Sequence, residues 1–229
     1  MAAGARVRGY DPVAGAPEGV ERSAGLPSAV EGAAVVLSVN AAAVARSVAA
    51  EAAPALHEDA VYADLNTAAP ALKREHAALV GVRFADVALL GPVPARGLGT
   101  PALVSGDGAA AFAALLAPLG MPVELVSETP GDAAARKLLR SVFMKGLAAA
   151  ALESLEAARA AGDEEWLERE LTEVIGAELL ERLLEGSRVH AARRVEEMEA
   201  ACELLASLGV EPRIAGASAD VLRGLRVER

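Results

Sequence analysis

Up to about residue 127, short β-branched or apolar runs alternate with longer stretches rich in alanine and leucine, the pattern of successive βα units wound around a parallel sheet. The expected strands are Arg6–Tyr10, Val35–Val39, Val61–Asp64, Ala85–Leu89, Ala102–Ser105 and Val123–Val126. Helices are expected between them, including Ala42–Ala53, Ala69–Leu79 and Ala109–Leu116. Five of the strands are far enough apart for right-handed crossovers. After Pro130 the texture changes. Gly131 to Ala161 is one stretch of strong helix formers without proline, ended by Gly162 and Asp163. Further helices are expected at Glu164–Val174, at Ala177–Leu208 with a break near Gly186, and at Ala219–Leu225.

The architecture expected is therefore α/β. A Rossmann-like parallel sheet over residues 1–129 is followed by an all-α domain over 130–229, the two joined by one long helix. A chain of 229 residues has room for one large domain or two ordinary ones, and 53% hydrophobic residues suffice for a sizeable core. With aromatics at only 3%, that core is built from small aliphatic side chains.

Charge and composition exclude several functions. A formal charge of −10 argues against a nucleic-acid backbone as partner, because that binding is driven by lysine and arginine. Cys202 is the single cysteine, and no cluster of Cys and His has metal-ligand spacing, so no metal site is expected and a reducing, cytoplasmic compartment fits. The longest uncharged apolar run, Gly108–Val123, holds Pro118 and Gly120 and falls short of the roughly 20 residues a membrane helix needs. No apolar segment follows Arg6 and Arg8, so Met1–Arg8 does not read as a secretory signal. The Glu and Arg residues from Glu164 to Arg194, interleaved with Leu, Val and Ile, are the solvated faces of amphipathic helices.

Asp11 ends the first expected strand, where a dinucleotide domain places an acid against the adenosine ribose; before Pro12 it also reads as a plain turn residue. Val39 and Asn40, at the end of another strand, lie where a cofactor would pass. More specific is Ala63-Asp64-Leu65-Asn66-Thr67-Ala68-Ala69-Pro70 after a hydrophobic strand, which resembles the Asp-x-Ser-Thr-x-x-Pro stretch of the 3-hydroxyisobutyrate dehydrogenase family. Asp86 to Gly91 occupies the place of that family's substrate loop Asp-Ala-Pro-Val-Ser-Gly-Gly, with Leu90 for its serine and Pro92 for its second glycine. Gly131-Asp132-Ala133-Ala134-Ala135-Arg136-Lys137 resembles the family's Gly-x-Gly-x-x-x-Lys motif, with Ala133 for the second glycine. Ser141 stands where the family has asparagine, one helical turn after Lys137. Ser141–Gly146 and His190–Met198 resemble a helical C-terminal domain of unknown function found in phosphogluconate-dehydrogenase-like proteins.

The resemblance implies hydride transfer between nicotinamide and the CH–OH carbon of a small hydroxy acid, with or without a phosphate group. Lys137 then takes the hydroxyl proton; Asn66, Thr67, Gly91, Ser141 and His190 face substrate, the last beside Arg193 and Arg194; and Asp11, Val39, Asn40 and Thr67 face the cofactor. Lysine can act so only where desolvation or neighbouring cations favour its neutral form, and Arg136, Arg140 and Lys145 are candidates for such a field. Asp11, with no arginine directly after it, leans toward NAD over NADP. The family pairs through its helical domain, so a homodimer is expected.

In that family the fold opens with a strand, Gly-x-Gly-x-x-Gly and a helix. Here Ala2–Val7 reads as the end of that helix running into the second strand, so a sheet lacking its first strand and glycine loop is expected. Gly106-Asp107-Gly108-Ala109-Ala110-Ala111 satisfies Gly-x-Gly-x-x-Ala, with Glu124 beyond it, but Asp107 would set a carboxylate against phosphates; a capping role for this turn is expected instead. Two other readings stand beside the dehydrogenase. An imine or keto reductase could use the same scaffold, although relatives of that kind usually replace the lysine. A non-catalytic, dimer-forming remnant is the other.

Overall fold

The computed structural model describes residues 5–225. They form two compact units, one up to Lys137 and one from Leu138 onward. The first contains β1 (Arg8–Gly9), β2 (Glu21–Arg22), α1 (Leu26–Val30), β3 (Val35–Ser38), α2 (Ala42–Ala52), β4 (Val61–Asp64), α3 (Pro70–Val80), β5 (Arg83–Leu89), α4 (Val93–Arg96), β6 (Ala102–Ser105), α5 (Ala109–Leu116), β7 (Val123–Ser127) and the first turns of α6 (Asp132–Ala161). The second holds the rest of α6, then α7 (Glu164–Ile175), α8 (Ala177–Val189), α9 (Ala191–Ser207) and α10 (Arg213–Gly224).

The main sheet runs in the order β3-β4-β5-β6-β7. It is parallel except between β5 and β6, which pair antiparallel. The connection from Leu90 to Pro101 carries Pro92, Pro94 and Pro101 and a single turn of helix, too little for a crossover that would return the chain to its starting end. The strand expected at Arg6–Tyr10 is a second departure. Only Arg8 and Gly9 pair, in parallel with Glu21 and Arg22, in a two-stranded sheet of their own. Of the helix end read at Ala2–Val7, Ala2 to Gly4 lie outside the described residues.

Alternation along the strands sends side chains to two cores. Val61, Ala63, Ala85, Val87, Ala102 and Val104 pack on one face beneath Phe112 and Leu116 of α5. Tyr62 and Phe84, stacked with ring centroids 6.2 Å apart, pack on the other face with Ala49, Ala52 and Val80 of α2 and α3. Burying Phe84 and Phe112 contributes about 1.5–3 kcal/mol each, and the alanines let the helices approach the sheet closely.

The turn Gly106-Asp107-Gly108 serves this packing. A Cβ on Gly106, whose φ is +106°, would lie 2.3 Å from the Phe84 carbonyl oxygen, and Gly108 N donates to that oxygen at 2.9 Å. Gly108 of this turn is the N-cap of α5, as expected, with no side-chain cap hydrogen bond; the Asp107 carboxylate instead accepts from Phe84 N at 2.8 Å. These glycines admit the backbone of β5, and the turn is committed to it.

In the second unit, α9 and α10 pack together through Met198, Ala201, Ala215, Ala219 and Leu222. The break between α8 and α9 falls at His190, not near Gly186. Gly186 instead makes room for Arg194: a Cβ there would lie 2.5 Å from the guanidinium, which donates to Leu183 O at 3.2 Å and to Ser187 Oγ at 2.5 Å.

Candidate functional site

The first unit gathers polar side chains at the carboxyl ends of β3, β4 and β5, the end at which open α/β sheets place ligands. Strand β4 is apolar up to Asp64, whose carboxylate is 1% exposed. Its Oδ1 accepts from the backbone N of Asn66 at 2.9 Å and from Asn66 Nδ2 at 2.8 Å, closing a tight turn that presents Thr67. Asn66 also donates to Ser38 Oγ at 3.2 Å and accepts from Asn40 N at 2.7 Å, which ties the ends of β3 and β4 together. Asn40 Nδ2 donates to Ser38 Oγ at 3.0 Å, while Asn40 Oδ1 is buried without a hydrogen-bond partner among the described residues.

Beneath this turn lies a sealed ionic cluster. Lys73 and His76 stand on the inward face of α3, one turn apart, and both reach Asp64. Lys73 Nζ lies 3.1 Å from Asp64 Oδ1 and 3.3 Å from Asp86 Oδ1, and donates to the Asp64 carbonyl oxygen at 3.0 Å. His76 Nδ1 lies 2.8 Å from Asp64 Oδ2. Burial pushes the Asp64 carboxyl up, but the His76 hydrogen bond, the Lys73 charge and the Asn66 amide outweigh it and bring its pKa down to about 2. Charges this deep persist only when their remaining lone pairs are filled, as they are at Asp64.

Asp86, fully buried on β5, connects the cluster to α6. Its Oδ2 accepts from Ala134 N at 2.9 Å and from Ser105 Oγ at 3.3 Å, and Ser105 Oγ accepts from Ala133 N at 2.9 Å. Two of the orphan amides that begin α6 thus find partners on β5 and β6. The helix starts at Gly131 with φ +99°, where a Cβ would lie 2.7 Å from Pro70 O, so only glycine lets α6 begin against the start of α3. Six residues after Gly131, Lys137 Nζ donates to Thr67 Oγ1 at 2.9 Å. Asn66, Thr67, Asp86, Ala134 and Lys137 line one small cavity. It brings together the Asn66 amide, the Thr67 hydroxyl, the Asp86 carboxylate and the Lys137 amine.

The other expected site residues stand elsewhere. Val39 is exposed beyond β3. Gly91 is exposed after β5, beside Arg96 and Thr100. Asp11 is exposed, and its Oδ1 accepts from the amides of Ala14 and Val13, which lower its pKa. Ser141 is 1% exposed in the second unit and donates to Glu197; Lys145 Nζ lies 2.9 Å from the same Glu197 oxygen. Burial lowers the Lys145 pKa against the opposing pull of Glu197. Arg136 pairs with Glu124 at 3.3 Å, so it and Lys145, two of the cations expected to act on Lys137, have acidic partners of their own. His190 is exposed at the α8–α9 junction, where partial burial and then Arg193 and Arg194 lower its pKa.

Sequence reasoning quoted Asp64 and Asp86 within motifs without giving them a site role, and left Ser38, Lys73, His76 and Ser105 out of the site. A signal existed for most of them: an aspartate inside each of two otherwise apolar strand runs, and a lysine and histidine on the apolar stripe of a helix that also buries Val80. Among the described residues no group of three or more His, Cys, Asp or Glu could hold a metal ion, and no helix is long and apolar enough to cross a membrane.

Residues 158–225 match the model of a domain of unknown function, DUF1932. A conserved hypothetical protein of Sinorhizobium meliloti 1021 is 34% identical, with 90% of this chain and 71% of that one covered and a TM-score of 0.68. The conserved protein MTH1747, of unknown function and structurally similar to 3-hydroxyacid dehydrogenases, is 30% identical over 91% of this chain and 81% of its own, with a TM-score of 0.66. A Mycobacterium tuberculosis 3-hydroxyisobutyrate dehydrogenase solved with L-serine has the same fold, with a TM-score of 0.72 at 18% identity over 92% of this chain and 80% of that one. The chain spans 56% of the length of the curated relative it matches, an uncharacterised 28.5 kDa protein of Methanothermus fervidus that is 30% identical over 148 residues.

Proposed function

Because this chain belongs to the family of 3-hydroxyacid dehydrogenase-like proteins to which MTH1747 belongs, we propose that it is an NAD(P)-dependent oxidoreductase acting on the CH–OH group of a small hydroxy acid. The observation that carries this reading is the Lys137–Thr67 hydrogen bond over the cavity at the carboxyl ends of β4 and β5. Lys137 in its neutral form takes the hydroxyl proton of the substrate, and Thr67 holds the amine on the turn that Asp64 and Asn66 build. The buried, unpartnered Asn40 Oδ1 suits an amide or hydroxyl donor of a nicotinamide nucleotide, so Asn40 with neighbouring Val39 would hold the cofactor at the end of β3. When bound, that group supplies the hydride acceptor. The Gly106–Gly108 turn is occupied by the Phe84 backbone and does not hold its phosphates.

Exposed Phe143, Trp166 and Val174 on the helical unit support a homodimer formed through it, and the single cysteine supports the cytoplasm.

Isothermal titration of NAD and NADP tests the reading, both into this chain and into a version preceded by the strand and glycine-rich loop that the family has. Saturable binding of one nucleotide to either form is expected. Heat-silent titrations of both forms would remove the oxidoreductase reading and leave the non-catalytic, dimer-forming one.

A further inference from the structure

Lysine is used three times in this chain, at 73, 137 and 145, against 22 lysines and arginines in all. The surface cations are arginines, and the most deeply buried of the lysines is Lys73, whose side chain is 1% exposed. Filling that space needs no charge, since a methionine has nearly the same length and would bury no ammonium. What the ammonium does is fixed by its neighbours. Asp64 has other partners, His76 at 2.8 Å and two donors on Asn66. Asp86 Oδ1 has no hydrogen-bond partner among the described residues, and Lys73 Nζ lies 3.3 Å from it. Asp86 also lines the cavity that Asn66, Thr67 and Lys137 line.

We propose that Lys73 is a positioning residue whose ammonium neutralises Asp86 and so leaves Lys137 on Thr67 instead of drawing it in as the counter-ion of a buried carboxylate. The inference rests on the reading of Lys137 as the proton-handling lysine. A buried carboxylate without a cation attracts the nearest one strongly, because the surrounding dielectric is low. With Lys73 in place the contacts form a closed circuit: Lys73 to Asp64, Asp64 to Asn66, the adjoining Thr67 to Lys137, and back through the first turns of α6 to Asp86, which accepts from Ala134 N. Without Lys73, Lys137 remains as a cation lining the same cavity as Asp86. Lys137 then holds its proton more tightly and points away from Thr67.

The test reads the amine itself and needs no substrate. Trinitrobenzenesulfonate labels neutral lysine, and peptide mass mapping gives the rate at Lys137, with Lys145 in the second unit as internal reference. Lys73→Met is expected to slow labelling of Lys137 at fixed pH by about threefold or more, the equivalent of roughly half a pKa unit, with Lys145 unchanged. The double variant Lys73→Met/Asp86→Asn is expected to restore the wild-type rate, because the carboxylate that captures Lys137 is gone. A role confined to stability would not produce that restoration. An unchanged Lys137 rate in folded Lys73→Met overturns the proposal, and so does a double variant as slow as the single one. If Lys73→Met does not fold, the double variant decides: a wild-type rate supports the proposal and a slow one overturns it. Failure of nucleotide binding in the titration above would remove the oxidoreductase reading while leaving the labelling result to stand or fall separately.

Discussion

Replacing Asp64 by asparagine should remove a defined portion of the acid sensitivity of the first unit. Folded Asp64 has a pKa near 2 against an ordinary 3.8, because His76, Lys73 and the Asn66 amide favour its charged form more than burial opposes it. A depressed carboxylate stabilises the fold above its unfolded pKa, and that stability is lost as pH falls from about 3.8 toward 2. Nearly two units at roughly 1.4 kcal/mol per unit make this about 2 kcal/mol. The wild type should therefore lose about 1.5 kcal/mol more than Asp64→Asn between pH 4.5 and 2.5, the part of the effect that falls in this window, while the other carboxylates cancel in the comparison. Urea unfolding reads it. Tyr10 and Tyr62 lie in the first unit and Trp166 in the second, so near-ultraviolet tyrosine dichroism and tryptophan fluorescence follow the two units separately. The two proteins losing stability in parallel over this range would refute the network as the cause of the shift.

Lys137→Met should lower turnover by about 10²–10⁴-fold with nucleotide affinity unchanged, measured by steady-state kinetics beside titration. Gly131→Ala places a methyl 2.7 Å from Pro70 O at a φ of +99° and should destabilise the first unit by about 2 kcal/mol or more, read by denaturant unfolding. Lys145→Met takes the ammonium from the buried Glu197 carboxylate and should cost the helical unit about 3 kcal/mol, followed by Trp166 fluorescence; a loss under about 1 kcal/mol would show that other contacts carry Glu197.

Elements with strong local signals were legible in the sequence. Strands β4 and β6 and helix α5 are continuous apolar runs between polar or glycine turns, and the structure places them at the expected residues. The short ones were not. Strand β2 is Glu21–Arg22, two exposed polar residues held by backbone pairing to β1, and no hydrophobic pattern marks such a pair. Helix α10 begins at Arg213, well before the expected Ala219, because burial of Ala215 and Ser218 against α9 outweighs the glycine at 216. Asn66, Thr67 and Lys137 were readable as one site through the resemblance of their motifs, and the structure brings them to one cavity. The ionic cluster under them was not readable, because pairing of Asp64 and Asp86 with Lys73 depends on the register of β4 against β5 and on which face α3 turns inward. Ser141 follows Lys137 by one turn, yet its hydroxyl is taken by Glu197 of α9, a partner that spacing along α6 does not reveal.

The most direct measurement is nicotinamide absorbance in a panel of small 3-hydroxy acids, with and without a phosphate group, using wild type and Lys137→Met at matched nucleotide saturation. Reduction of the nucleotide by at least one acid, lost in Lys137→Met, is the expected result. Equal turnover in the two proteins would contradict the assignment of Lys137 as the base, and nucleotide binding without turnover of any hydroxy acid would contradict the dehydrogenase chemistry itself.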